Sequence, residues 1–168
     1  MKRAGLTPLE ILIAEREIYQ THFRFFRLAD SYEYERLAET CFTPDAYIEY
    51  TIMPGPPQRF HGREEFATFM LAGGRRPGAA VAHVAGQSSI DWSSGHPHLS
   101  GYATVWHWAA TRNLRGEHRP ADWTTIGRIE DDYEFLEDRW LISRRRISPA
   151  AGLVATGAAP GLGRPTGR

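Results

Sequence analysis

The chain has 168 residues, with 20 basic and 20 acidic side chains and no formal net charge. That length suits one domain with room for a real core, and balanced charge argues against a broad nucleic-acid or acidic-membrane surface. Lys2 is the only lysine, which excludes Schiff-base chemistry on an interior lysine; Cys41 stands alone, which excludes an internal disulfide and suits a reducing compartment.

No apolar run approaches the ~20 residues of a membrane span. The opening Met-Lys-Arg-Ala-Gly has no apolar signal region behind it. A cytoplasmic protein that does not engage membranes is the expectation.

Thr7-Pro-Leu-Glu10 is a helix start, with Thr7 as cap, Pro8 in the first turn and Glu10 able to reach back in a capping box. The helix is expected to run to Ala29 or Asp30. Stepping by three and four from Leu9 gives Leu12, Arg16, Tyr19, Phe23, Phe26 and Asp30. Apart from Arg16 this reads as a face for burial, and it ends in a carboxylate. A buried carboxylate is costly unless paired or hydrogen-bonded.

Glu33 to Phe42 reads as a second short helix, broken by Thr43-Pro-Asp45. Ala46 to Ile52 looks like a strand, Pro54 to Pro57 a rigid loop, and Arg63 to Ala72 a third helix ended by the Gly-rich stretch that follows. Long strands are expected at Val81–Trp92, Leu99–Ala110, Trp123–Leu136 and Trp140–Ile147. A tight hairpin is expected at Glu137-Asp-Arg139. Helices first and strands after mean an α+β domain with the helices on one face of a largely antiparallel sheet. Residues 148–168, rich in Gly, Ala and Pro, read as an irregular tail.

One histidine, His83, lies in a run of small apolar residues from Ala79 to Ala85. A carboxylate that orients and charges a histidine makes a general base near neutral pH. Alone, Asp30 is as well explained as a carboxylate at a helix end, and His83 as a satisfied core histidine.

The order of these marks resembles the SnoaL-like branch of the NTF2-like superfamily. They are Asp30 before Arg36-Leu37, Phe42-Thr-Pro-Asp-Ala46, His61-Gly-Arg-Glu-Glu-Phe66, Ala82-His-Val84, and Asp131 to Trp140 leading to Arg144-Arg-Arg146. The resemblance spans Leu9 to Ile147 and implies a domain over residues 1–147. The implied fold is an NTF2-like cone, three N-terminal helices on a curved, largely antiparallel sheet.

Within that branch the chain is most similar to enzymes of the scytalone dehydratase and hexachlorocyclohexane dehydrochlorinase types. The resemblance implies that a helix-borne aspartate, here Asp30, holds a strand-borne histidine, here His83, which removes a proton. It further implies a pocket tyrosine at Tyr50 and a second histidine near His107. Gly127 and Ile129 replace a serine and an asparagine of the dehydratase type, and Phe25 replaces a lysine of the dehydrochlorinase type, so the substrate is expected to differ from both.

For His107, between Trp106 and Trp108, a packed structural histidine and an acid are equal readings. Tyr50 reads as a pocket hydroxyl. The other histidines (His22, His61, His96, His98, His118) have poor metal-ligand spacing and read as surface residues. Strand alternation splits Arg144-Arg-Arg146 over both faces, so it is no single basic patch.

The expected function is elimination, isomerisation or cyclisation of a small cyclic or polyketide-like substrate, using an Asp–His base and no metal or redox cofactor. A non-catalytic small subunit of a ring-hydroxylating dioxygenase, or a binding module of the same fold, are the alternatives. Three helices can cover only one sheet face, so a homo-oligomer, dimer or trimer, is expected, with Trp106, Trp108, Tyr133 and Phe135 toward the neighbour.

Overall fold

A computed structural model describes residues 5–51, 56–73, 79–108, 120–150 and 154–155. The order is α1 (Pro8–Asp30), α2 (Tyr34–Cys41), β1 (Phe42–Tyr50), β2 (Gln58–His61), α3 (Arg63–Gly73), β3 (Ala80–Asp91), β4 (His98–Trp108), β5 (Trp123–Leu136), β6 (Arg139–Pro149) and β7 (Val154–Ala155). The sheet runs β2-β1-β6-β5-β4-β3, with β7 added beside β5. β1 and β6 are parallel and every other pair antiparallel. Three helices on one face of this curved sheet are the α+β architecture expected.

Local chemistry sets the element ends. Thr7 Oγ accepts from the Glu10 backbone N–H, and the Glu10 carboxylate accepts from the Thr7 N–H at 2.7 Å, closing the capping box. The β5–β6 hairpin turns on Glu137 (φ 51°) and Asp138 (φ 58°), with Leu136 opposite Arg139. Two successive left-handed residues match the twist of a two-residue hairpin. The strand β2, after the proline-rich stretch, is not in the sequence reading: four residues carry too short a pattern to stand out. β1 begins at Phe42, directly after α2, four residues earlier than expected. The expected boundary at residue 148 is overrun by β6, which reaches Pro149.

The burial face of α1 corrects the sequence reading. Leu9 is 65% exposed, Leu12 64% and Phe23 45%. The buried line is Ala14, Ile18, Thr21, His22, Phe25, Phe26, Leu28 and Ala29. Both sides of this helix carry apolar residues, and the true inner face is disguised by small Ala14 and by polar Thr21 and His22. Thr21 is satisfied there by donating to the Trp140 carbonyl at 2.8 Å. His22, expected at the surface, is fully buried. Tyr133, expected to face outward, lies in the core, while Trp106 and Trp108 take the opposite strand parity from the inward His107. The core joins α1 and α2 to the inner faces of β1, β4, β5 and β6 through Ile18, Phe25, Leu37, Phe42, Ile129, Trp140 and Ile142.

Candidate active site

Asp30 is the last residue of α1. A carboxylate there sits at the negative end of the helix dipole, an unfavourable place for an anion. Groups on β3 offset this. The His83 backbone N–H is shared between both Asp30 oxygens at 3.2 Å each, and the ring Nδ1 lies 2.6 Å from Oδ1. A nitrogen this close to an ionised carboxylate carries the proton, which leaves Nε2 as the acceptor. Among the described residues Nε2 makes no hydrogen bond, and Phe26 stacks on the ring at 5.2 Å. The chain leaves α1 through Tyr32 (φ 61°), a left-handed turn that bulky side chains rarely adopt. Its N–H donates to the Ala29 carbonyl at 3.1 Å and that of Glu33 to Leu28 at 2.9 Å, which closes the helix end around Asp30.

His83, Tyr50 and His107 line one cavity of about 390 Å³ between the helices and the inner sheet face. Phe25, Phe26, Tyr32, Tyr34, Phe69, Trp123, Gly127 and Ile129 share its wall. The replacements at Phe25, Gly127 and Ile129 therefore fall on the lining and shape it. Burial pushes the Tyr50 phenol up to about 12, with the nearby Arg145 charge acting the other way. Tyr50 is thus a donor. His107 stacks flat on Trp123 at 3.5 Å and 2°. Burial, then the neighbouring His83, push it down to about 4. At neutral pH it is an uncharged ring that can position a ligand but holds no labile extra proton.

Beneath the cavity lies a group absent from the sequence reading. Arg145 Nε donates to Asp131 Oδ1 at 2.8 Å and Nη2 to Oδ2 at 2.6 Å, and both side chains are fully buried. Desolvation opposes the Asp131 charge, but Arg145 overrides it and lowers the carboxyl below its usual range. The guanidinium lies 3.9 Å from the centre of the Phe25 ring, and among the described residues its Nη1 has no hydrogen-bond partner. Neither ring nitrogen of His22 makes a hydrogen bond to a described residue, and Nδ1 lies 3.8 Å from Asp131. Alternation could have found the pair: Asp131 shares inward parity with Ile129 and Tyr133, and Arg145 with Ile147. Two opposite charges at inward positions of adjacent strands imply each other.

On the outer sheet face His98 is gripped at both nitrogens, Nδ1 by Asp132 at 2.6 Å and Nε2 by Glu130 at 2.7 Å. His61 and His96 are exposed as expected, and His118 lies outside the described residues. Among the described residues no group of three His, Cys, Asp or Glu side chains is placed to hold a metal. No described helix is long and apolar enough to cross a membrane.

The sequence profile of the SnoaL-like domain matches residues 10–146. No curated protein sequence matches the chain. Among solved structures, the Kfla4162 protein of Kribbella flavida is similar at TM-score 0.68 and 17% identity, over 84% of this chain and 93% of its own. A candidate scytalone dehydratase of Novosphingobium aromaticivorans gives 0.66 and 19%, over 94% and 96%. ActVI-ORFA of Streptomyces coelicolor gives 0.67 and 14%, over 81% and 96%. At these identities the likeness is one of fold.

Proposed function

The chain belongs to the SnoaL-like domain family, and we propose that it is an enzyme in which His83, held by Asp30, removes a proton from carbon. The observation that carries this is the 2.6 Å Asp30–His83 contact opening on an apolar cavity. Asp30 fixes the tautomer with the proton on Nδ1. Nε2 then accepts a proton from a carbon next to a carbonyl, and Asp30 stabilises the imidazolium that forms. The negative charge that moves to the carbonyl oxygen is met by the Tyr50 hydroxyl, which burial keeps protonated while the Arg145 charge offsets part of that effect. Preorganised donors of this kind usually supply the largest single electrostatic contribution. Neutral His107, against Trp123, positions the substrate ring. In an elimination the proton on His83 leaves with the departing hydroxide as water. The same first step, without a leaving group, serves isomerisation or ring closure. No step draws on a metal or a redox cofactor.

Dehydration of a cyclic β-hydroxyketone tests this reading. 3-Hydroxy-1-tetralone loses a proton from C2 and hydroxide from C3 and becomes 1-naphthol, which fluorescence reports directly. The wild type should accelerate the loss of water with saturation, and His83→Ala should not. Binding without product, in both proteins, would replace the enzyme with a binding module.

The outer sheet face supports a homo-oligomer. It leaves Val84 and Tyr102 exposed beside half-buried Trp106 and Trp108. A self-paired two-fold surface would cover them. Light scattering that finds a monomer at micromolar concentration contradicts this.

A further inference from the structure

The charge balance of the cavity carries an inference about its ligand, one that rests on Asp30 and His83 marking the reacting end. Most of the lining is hydrocarbon and aromatic ring. Its polar atoms belong to phenols, to Gln58 and Thr125, to the Trp123 indole and to two imidazoles, and none of these side chains is a lysine or an arginine. Of these, His107 stays uncharged at neutral pH, since burial pushes it down to about 4. Burial raises Tyr34 and Tyr50 to about 12, so both phenols are neutral. Arg145 lies behind Phe25, outside the lining, and is paired with Asp131 at 2.6 Å. With His83 in the uncharged form that its role as base requires, the unbalanced charge of the described site is negative, and it is Asp30.

We propose that this cavity takes flat, uncharged ring compounds and rejects their carboxylate counterparts, with Asp30 as the source of the discrimination. A ligand carboxylate would give up its hydration to a lining that, among the described residues, carries no lysine or arginine, and would face a second carboxylate across His83. Burial without a partner is costly for an ion, and like charges a few ångströms apart repel strongly where water is excluded. An uncharged amide or ketone of the same shape meets neither cost. It can still accept from Tyr50, and it lies flat against the stacked His107 and Trp123 rings. The same arrangement favours a negative charge that develops only during reaction at the Tyr50 end over one carried in from the start.

Calorimetric titration with 2-naphthamide and 2-naphthoate, matched in shape and differing in charge, tests this in mildly alkaline buffer. The wild type should prefer the amide by about 10-fold or more, as a single unscreened charge repulsion implies. Asp30→Asn should narrow the preference to about 3-fold or less, by tighter naphthoate binding. Gln58→Arg, on the edge strand at the cavity wall, should tighten naphthoate binding even if Asp30→Asn does not fold. Equal binding of the two ligands by the wild type overturns the proposal. So does a preference unchanged in Asp30→Asn, or the failure of the amide to bind. Since the readout is affinity, loss of proton abstraction with this preference intact would remove the base and leave the ligand class standing.

Discussion

Two histidines in this sheet are each held by carboxylates, and they differ in what is left over. His83, on the inner face, gives Nδ1 to Asp30 and keeps Nε2 free beside a cavity. His98, on the outer face, has Nδ1 on Asp132 and Nε2 on Glu130. A general base needs one nitrogen oriented and the other available, so the first arrangement can abstract a proton and the second cannot. Asp131 and Arg145 form a third arrangement, joined by two hydrogen bonds and sealed from water. A carboxylate beside a nitrogen donor is thus a site in one place, a surface clasp in another and a core strut in the third. Access and the spare lone pair decide which.

Substitutions at the three places should separate accordingly. The largest effect is expected on turnover. His83→Ala and Asp30→Asn should each lower kcat by about 10²–10⁴, the usual range for a general base. The double variant should be little worse than His83→Ala, because residues acting as a unit are not additive. Steady-state kinetics with circular dichroism as a folding control checks both. Equal loss of secondary structure would move Asp30 and His83 into the structural class.

Breaking the sealed pair should unfold the protein while leaving no separate signature in chemistry. Asp131→Ala strands a buried guanidinium and should cost about 3–5 kcal/mol by denaturant titration. The pH dependence has a definite sign. The folded-state pKa of Asp131 is lowered, so its contribution is present above the unfolded value of about 4 and is lost as pH falls through the folded one. Removing one donor aimed at developing charge, by Tyr50→Phe, should lower kcat by about 10²-fold, with a smaller change in stability.

The smallest effect belongs to His98. Partial burial disfavours its charge, but the hydrogen bonds it donates to Asp132 and Glu130 outweigh that and raise its pKa. A raised folded-state pKa stabilises below the unfolded value and loses that contribution as pH rises through the folded value. With the side chain 35% exposed, solvent screening limits the contribution to under ~1 kcal/mol. His98→Gln should therefore lower Tm slightly in mildly acidic buffer, have no effect in alkaline buffer and leave turnover unchanged. A drop in kcat would place His98 in the chemistry.

Much of this was legible in the sequence, and the misses have physical causes. The Asp30 and His83 positions followed from family order. Length and periodicity gave the long strands, and β5 has the ends expected of it. The burial side of α1 was read from the larger apolar side chains, whereas the packed side uses Ala14, Thr21 and His22. Periodicity weighs side chains and cannot see that a threonine will bond to the carbonyl of Trp140. Alternation split the three arginines over both faces, but the inward partner of Arg145 appears only once β6 is registered against β5, which sets it opposite Asp131. A shift between Asp132 and Tyr133 in that pairing further blurs the parity. The neutrality of His107 comes from burial against Trp123 and the nearness of His83, which no local spacing reveals.

The central claim is that His83, oriented by Asp30, takes a proton from carbon inside the cavity. Solvent-deuterium exchange into 2-tetralone, a flat uncharged ketone with acidic protons beside its carbonyl, measures that step without requiring the natural substrate. Followed by proton NMR, the wild type should catalyse exchange with saturation. His83→Ala should be slower by about 10²–10⁴, and Asp30→Asn should fall in the same direction. Exchange at the buffer rate with wild-type protein that binds the ketone, or undiminished exchange with His83→Ala, would contradict the account.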